Sequence, residues 1–146
     1  MQARIKWVDG AMFIGESGSG HAVVMDGPPD HGGRNMGVRP MEMILLGLGG
    51  CASFDVVDIL KKARAPVSDC VAEIEAERAD TIPAVFTRIH LHFKVAGAGL
   101  KPRQVARAVQ LSAEKYCSAS RMLEAGGVEI QHSHEVIDLA DRDSNQ

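Results

Sequence analysis

Between Gly37 and Leu60 the chain reads GVRPMEMILLGLGGCASFDVVDIL, and this stretch constrains the fold more than any other. Pro40 suits the first turn of a helix, where a missing N–H costs nothing. Met41, Ile44, Leu45, Leu48, Ala52, Val56 and Ile59 then recur at helical spacing, and Leu46 and Val57 widen the apolar surface around the cylinder. Lys61, Lys62 and Arg64 favour the C-terminal end of the dipole, and Pro66 stops the helix. Such a helix reads as buried along most of its length and is too apolar all round for the surface of one small domain, which predicts a homodimer. Gly47, Gly49 and Gly50 interrupt it just before Cys51. Glycine costs up to about 1 kcal/mol relative to alanine inside a helix. The gain must be close backbone approach, either by a packed neighbour or by a substrate reaching the thiol.

The flanking segments predict an α+β fold in one domain, 1–146. Asp9-Gly10, the Gly15 to Gly20 cluster and Asp26-Gly27 punctuate the N-terminal segment as a three-stranded meander. PPDHGGRNMG, from Pro28 to Gly37, reads as a mobile, exposed loop. After the helix, VSDCVAEIEAERAD alternates with Cys70, Ala72, Ile74 and Ala76 on one face and Glu73, Glu75 and Glu77 on the other. TRIHLHFKV alternates again, so the acidic face of one strand can lie beside Arg88, His90, His92 and Lys94 of the next in an antiparallel hairpin. An amphipathic helix from Leu100 to Tyr116 places Val105, Ala108, Val109, Ser112, Ala113 and Tyr116 on one stripe. SRMLEA then runs into Gly126-Gly127, and a last strand, VEIQHSHEVIDL, precedes a polar tail over 140–146 that is expected to fray.

Composition narrows the function. A formal net charge of -3 and 4% aromatic residues leave neither a basic stripe nor stacking platforms, so nucleic acid is not an expected partner. The N-terminus mixes charges into its first residues and carries no apolar core of a secretory signal. No run approaches the roughly 18 apolar residues of a membrane span. A cytoplasmic protein with no membrane partner is expected. Its 3 cysteines are then reactive or buried thiols rather than a disulfide framework.

Cys51, behind its glycines, is either a small core residue or a nucleophile. Cys117 sits where one helical pattern ends and another begins, so it is either a core residue continuing the stripe of Val109, Ser112, Ala113 and Tyr116 or a thiol near a helix N-terminus, a setting that stabilises thiolate. Two cysteines at two helical junctures make a redox pair conceivable, whereas Cys70 shares a strand face with Ala72 and Ile74 and reads as inert. His90-x-His92 and His132-x-His134 each put two imidazoles on one side of a strand and form the rival, metal-binding constellation. The commoner outcome for such histidines is a surface position opposite glutamates.

The stretches PMEMILLGLGGC, Pro40 to Cys51, and AEKYCSAS, Ala113 to Ser120, resemble the two cysteine motifs of the OsmC/Ohr family of osmotically inducible and organic-hydroperoxide-resistance proteins, with greatest similarity to its YhfA-type branch. The resemblance covers essentially the whole chain. It implies an OsmC-like fold, antiparallel sheets wrapped around long central helices in an intertwined homodimer, with sites at the subunit interface. It implies that Cys51 attacks an organic hydroperoxide and that Cys117 resolves the sulfenic acid to a disulfide, which a small or protein-borne dithiol then reduces. No cofactor or metal is implied, because sulfur carries both electrons. In the typical motif a glutamate directly follows the proline and partners an arginine that stabilises the thiolate. Here Met41 follows Pro40 and the carboxylate is Glu42, which a regular helix places about 180° from Cys51. Arg34 stands nearest the arginine's usual position, while Arg39 adjoins the helix start, where a cation gains nothing from the dipole; either fits a plain solvated charge, and Ser118 replaces the proline that usually follows the second cysteine. The alternative is a non-catalytic relative that holds a small apolar or electrophilic molecule in the same interfacial cleft.

Overall fold

A computed structural model describes residues 1–140. The tail expected to fray lies outside them from residue 141 onward. Among the described residues, six strands and three α-helices follow in the order β1 (Ala3–Asp9), β2 (Met12–Ser17), β3 (Ala22–Met25), α1 (Pro40–Lys62), β4 (Asp69–Arg78), β5 (Phe86–Gly97), α2 (Pro102–Leu111), α3 (Ser118–Ala125) and β6 (Glu129–Asp138). The fold is α+β, with two three-stranded sheets. Internal contacts divide the chain into two compact units, Met1–Leu46 and a second from Gly47 onward, with the boundary inside α1.

The first unit is the expected meander, β1-β2-β3, antiparallel throughout. The segment after it is more ordered than its glycines and prolines suggest. The carboxylate of Asp26, 2% exposed, accepts backbone N–H groups from Gly27 at 2.8 Å and from Arg34 and Met36 at 3.1 Å each. Those bonds, Met36 first, hold the Asp26 carboxyl below its usual range despite burial. Gly33 passes so close to the Gly27 carbonyl that no Cβ would fit there. A polar anchor of this kind leaves no mark in hydrophobic periodicity, so the segment reads from sequence only as loop.

α1 begins at Pro40 as expected, and Glu42 closes its first turn by accepting the Arg39 backbone N–H at 2.8 Å. It is long and apolar enough by length and composition to cross a membrane, with a mean hydropathy of 1.8 over an 18-residue window. Averaging glycines and Cys51 with the aliphatic residues produces that value where no uninterrupted apolar run exists. Its buried residues from Leu48 onward, Gly49, Ala52, Val56 and Leu60, join the core of the second unit with Ile89, Leu91, Phe93 and Val95 of β5 and Val105, Ala108 and Val109 of α2. Burial is one-sided: Phe54 is 74% and Leu46 58% exposed.

The hairpin forms in the expected sense. Glu73 faces His92, Glu75 faces His90 and Glu77 faces Arg88, with Lys94 Nζ 2.8 Å from Glu73 and Arg88 Nη1 3.3 Å from Glu77. The second sheet is nevertheless not antiparallel throughout, because β6 pairs with β5 in parallel. A parallel neighbour needs a long crossover, and α2 and α3 supply it.

That crossover also corrects the stripe expected on α2. After Leu111 the chain makes one wide π-helical turn, Ser112–Tyr116, closed by the Cys117 N–H donating to the Ser112 carbonyl at 2.9 Å. The extra residue turns Tyr116 outward, to 49% exposure, and brings Cys117 in beneath Ser112 at 0%. A regular helical period would have done the reverse.

Candidate functional site

Cys51 does not sit at a helix end. It lies in the interior of α1, half-buried, one residue beyond the pair Gly49 and Gly50. The two glycines have different surroundings. A Cβ on Gly49 would meet Ile74 Cδ1 of β4, so this glycine lets helix and sheet approach. A Cβ on Gly50 would meet nothing within 4 Å. Gly50 lines instead an open cavity of about 380 Å³ with Ser53, Phe54, Val57, Asp58 and Lys61. Gly49 thus fits the close-packing reading, while Gly50 borders open space lined by residues other than Cys51.

Cys117 is the N-cap of α3, and its Sγ accepts the Ser120 backbone N–H at 3.4 Å. Ser112 secures the adjoining turn to α1, its buried hydroxyl donating to the Ala52 carbonyl at 3.2 Å. These two attachments bring the Sγ atoms of Cys51 and Cys117 and a carboxylate oxygen of Asp55 within 4.8 Å of one another. Burial pushes the Cys117 thiol up, and neighbouring Cys51 acts in the same direction, against hydrogen bonds from Ser120 that favour the thiolate. The helix N-terminus expected to ionise Cys117 is thus outweighed by desolvation, and Cys117 is held as a neutral thiol. Cys70 lies on β4 opposite Val95, with its thiol also pushed up by burial.

Asp55 carried no role in the sequence reading, although its spacing could have found it. Four residues beyond Cys51 on a helix, it occupies the same face one turn on. Its Oδ2 is buried without a hydrogen-bond partner, and burial, reinforced by Asp58, pushes the carboxyl up. Asp58 itself is engaged by Lys62 at 2.7 Å.

Arg34 and Glu42 both have partners inside the first unit. Arg34 Nη2 lies 3.3 Å from Asp9 Oδ2. Glu42 takes Arg39 as its arginine, at 3.1 Å from Nη1 in addition to the backbone bond, and these contacts hold its carboxyl below the usual range. Arg34 and Glu42 are thus not paired with each other.

The histidine pairs do not build one metal site. His90 and His92 sit on the outer face of the second sheet and converge on Ser133 Oγ, at 2.7 and 2.8 Å. His132 lies on the opposite, inner face, stacked on Phe93 with a centroid distance of 6.5 Å. Among the described residues, the set whose metal-ligating atoms converge is Cys51, Asp55 and Cys117. Two thiolates and a carboxylate suit a borderline-soft ion such as zinc. A Cys117 that keeps its proton is a poor ligand.

Residues 31–133 match the family model described as OsmC-like protein. The chain is 52% identical over 140 residues to Protein YhfA of Escherichia coli strain K12, covering 94% of this chain and 98% of that one. A solved structure from Aquifex aeolicus VF5 is 26% identical, with a TM-score of 0.80 over 93% of this chain and 95% of that one. The fold also matches an organic hydroperoxide resistance protein OsmC from Legionella pneumophila, at 19% identity and a TM-score of 0.70 over 93% and 98% of the two chains. On the family-model match and the YhfA identity, the chain belongs to the OsmC-like family.

Proposed function

We propose that the chain is a thiol-dependent peroxidase that reduces organic hydroperoxides in the cytoplasm, working as a homodimer. The observation that carries this reading is the approach of Cys51 and Cys117 to within 4.8 Å from two separate elements, one thiol half-buried and the other fully enclosed. The more open Cys51 is the nucleophile. It takes the terminal oxygen of the hydroperoxide, becoming a sulfenic acid as the O–O bond breaks and the alcohol leaves. Cys117 then displaces that oxygen as water and forms the disulfide, and a small or protein-borne dithiol returns both sulfurs to thiols. The fold shared with the Legionella protein is consistent with this chemistry.

Activation of Cys51 is assigned to Arg34 with Glu42 as its partner carboxylate. Both would have to exchange their present partners, Asp9 and Arg39, in the reacting state. The test is turnover with cumene hydroperoxide and a dithiol. Activity lost in Cys51→Ser and reduced in Arg34→Ala supports the assignment, whereas full activity in Arg34→Ala removes the arginine from it.

A second reading is supported by the cavity beside Gly50, whose walls of Phe54 and Val57 suit a small apolar or electrophilic molecule bound without turnover. Tight binding of such a molecule, with no consumption of hydroperoxide, would favour it.

A further inference from the structure

We propose that Asp55 is the proton carrier of the step that joins the two thiols, accepting the Cys117 proton and delivering it to the oxygen that leaves Cys51. This rests on the peroxidase reading for its natural substrate, but the proton demand arises whenever Cys117 attacks an oxidised Cys51.

The need for a carrier follows from burial. A thiol must lose its proton to attack sulfur. Cys117 is 0% exposed, so bulk water does not reach it. The Ser120 contact provides no base. Asp55 supplies one, with a carboxylate oxygen within 4.8 Å of both sulfurs. A buried carboxyl oxygen without a partner is costly to keep and calls for a purpose. Asp55 Oδ2 is such an atom, while Asp58 on the same helix is paired with Lys62. Desolvation and the Asp58 charge push the Asp55 carboxyl up, which makes it a better base toward a thiol and a ready donor to a leaving hydroxide.

The step balances without another reactant. The Cys117 S–H bond breaks, its proton passes to Asp55, and the Cys117 electron pair forms the S–S bond. The S–O bond of the Cys51 sulfenic acid breaks, and the departing oxygen takes the proton from Asp55 and leaves as water. The Cys117 sulfur is oxidised, the Cys51 sulfur is reduced, and Asp55 returns to its starting state.

The experiment uses Asp55→Asn, which keeps the shape and removes the base, with Asp55→Glu as the conservative variant. Two reactions are followed on the full chain. In the first, cumene hydroperoxide oxidises the reduced protein, and Cys51 sulfenic acid is trapped with dimedone. In the second, Cys51 is first converted to a mixed disulfide with a coloured aryl thiol, and release of that thiolate by Cys117 is timed, which needs no hydroperoxide. Asp55→Asn should form sulfenic acid at the wild-type rate, accumulate it, and release the aryl thiolate about 100-fold more slowly. Asp55→Glu should recover part of that loss. Wild-type release rates in Asp55→Asn would overturn the proposal. So would loss of release in Asp55→Glu equal to that in Asp55→Asn, since a merely structural role would give that result. If wild-type protein forms no sulfenic acid while Asp55→Asn still slows aryl thiolate release, the hydroperoxide reading fails and the proton carrier stands. Should Asp55→Asn not fold, a wild-type release rate unchanged in heavy water would overturn the proposal, and a slowed one would uphold it.

Discussion

Gly49 of α1 lies so close to Ile74 of β4 that a methyl group on the glycine would sit 2.6 Å from Ile74 Cδ1. The contact is specific to one carbon of a side chain that has some freedom to turn. Gly49→Ala should therefore destabilise by about 1–3 kcal/mol. Adding Ile74→Val, which deletes that carbon, should recover most of the loss, a coupling visible in a double-mutant cycle of thermal or denaturant unfolding. Independent, additive effects would mean that Gly49 is kept for another reason.

Gly50, one residue on, should behave in the opposite way. With open space at its Cβ, Gly50→Ala should gain up to about 1 kcal/mol of helix stability. On the reading that Gly50, next to Cys51 in the chain, gives a substrate access to the thiol, the added methyl should slow oxidation by a bulky hydroperoxide more than by hydrogen peroxide. A destabilised variant with unchanged selectivity would defeat the access role.

The exposed apolar residues of α1 predict the oligomeric state. Leu46 at 58% and Phe54 at 74% exposure lie on a helix otherwise built for burial. Sedimentation should find a homodimer at micromolar concentration, and Phe54→Glu should weaken it. A stable folded monomer in the unmodified protein would remove the shared-site account.

His132 predicts a pH dependence of stability. Burial on the inner face lowers its tendency to protonate, with Glu124 opposing and His90 reinforcing that shift, and its Nε2 has no partner. The folded state therefore disfavours the charged ring. Stability should be intact above the unfolded histidine value of about 6.5 and fall as pH drops below it, because the unfolded chain then binds the proton more readily. His132→Phe should flatten that part of the profile in urea titrations, and an unchanged slope would contradict the assignment.

Sequence patterning made the helix of Pro40–Lys62, the meander and the charged hairpin legible, because each is written in a local period of apolar or charged residues. It could not supply the parallel pairing of β6 with β5, which is decided by how a crossover packs. The π-helical turn at Ser112–Tyr116 was equally silent, and with it the exposure of Tyr116, whereas a buried Cys117 was one of the two readings its position allowed. At the site, the two thiols were singled out by their local settings and paired by resemblance, and the structure brings their sulfurs within 4.8 Å. Asp55 was missed although its spacing from Cys51 was in plain view, since an acidic residue on an apolar helix face declares itself only when its unpaired oxygen is seen. Asp26 escaped for a related reason: its three backbone partners are spread over a segment that reads as loop.

The most direct test of the account is mass mapping of the cysteines after brief oxidation of the fully reduced protein with a stoichiometric amount of cumene hydroperoxide, quenched with acid and alkylated. The account predicts a Cys51–Cys117 disulfide with Cys70 still alkylated, and no such bond in Cys51→Ser. Recovery of Cys51 and Cys117 as free thiols while hydroperoxide is consumed, or a disulfide through Cys70, would contradict it.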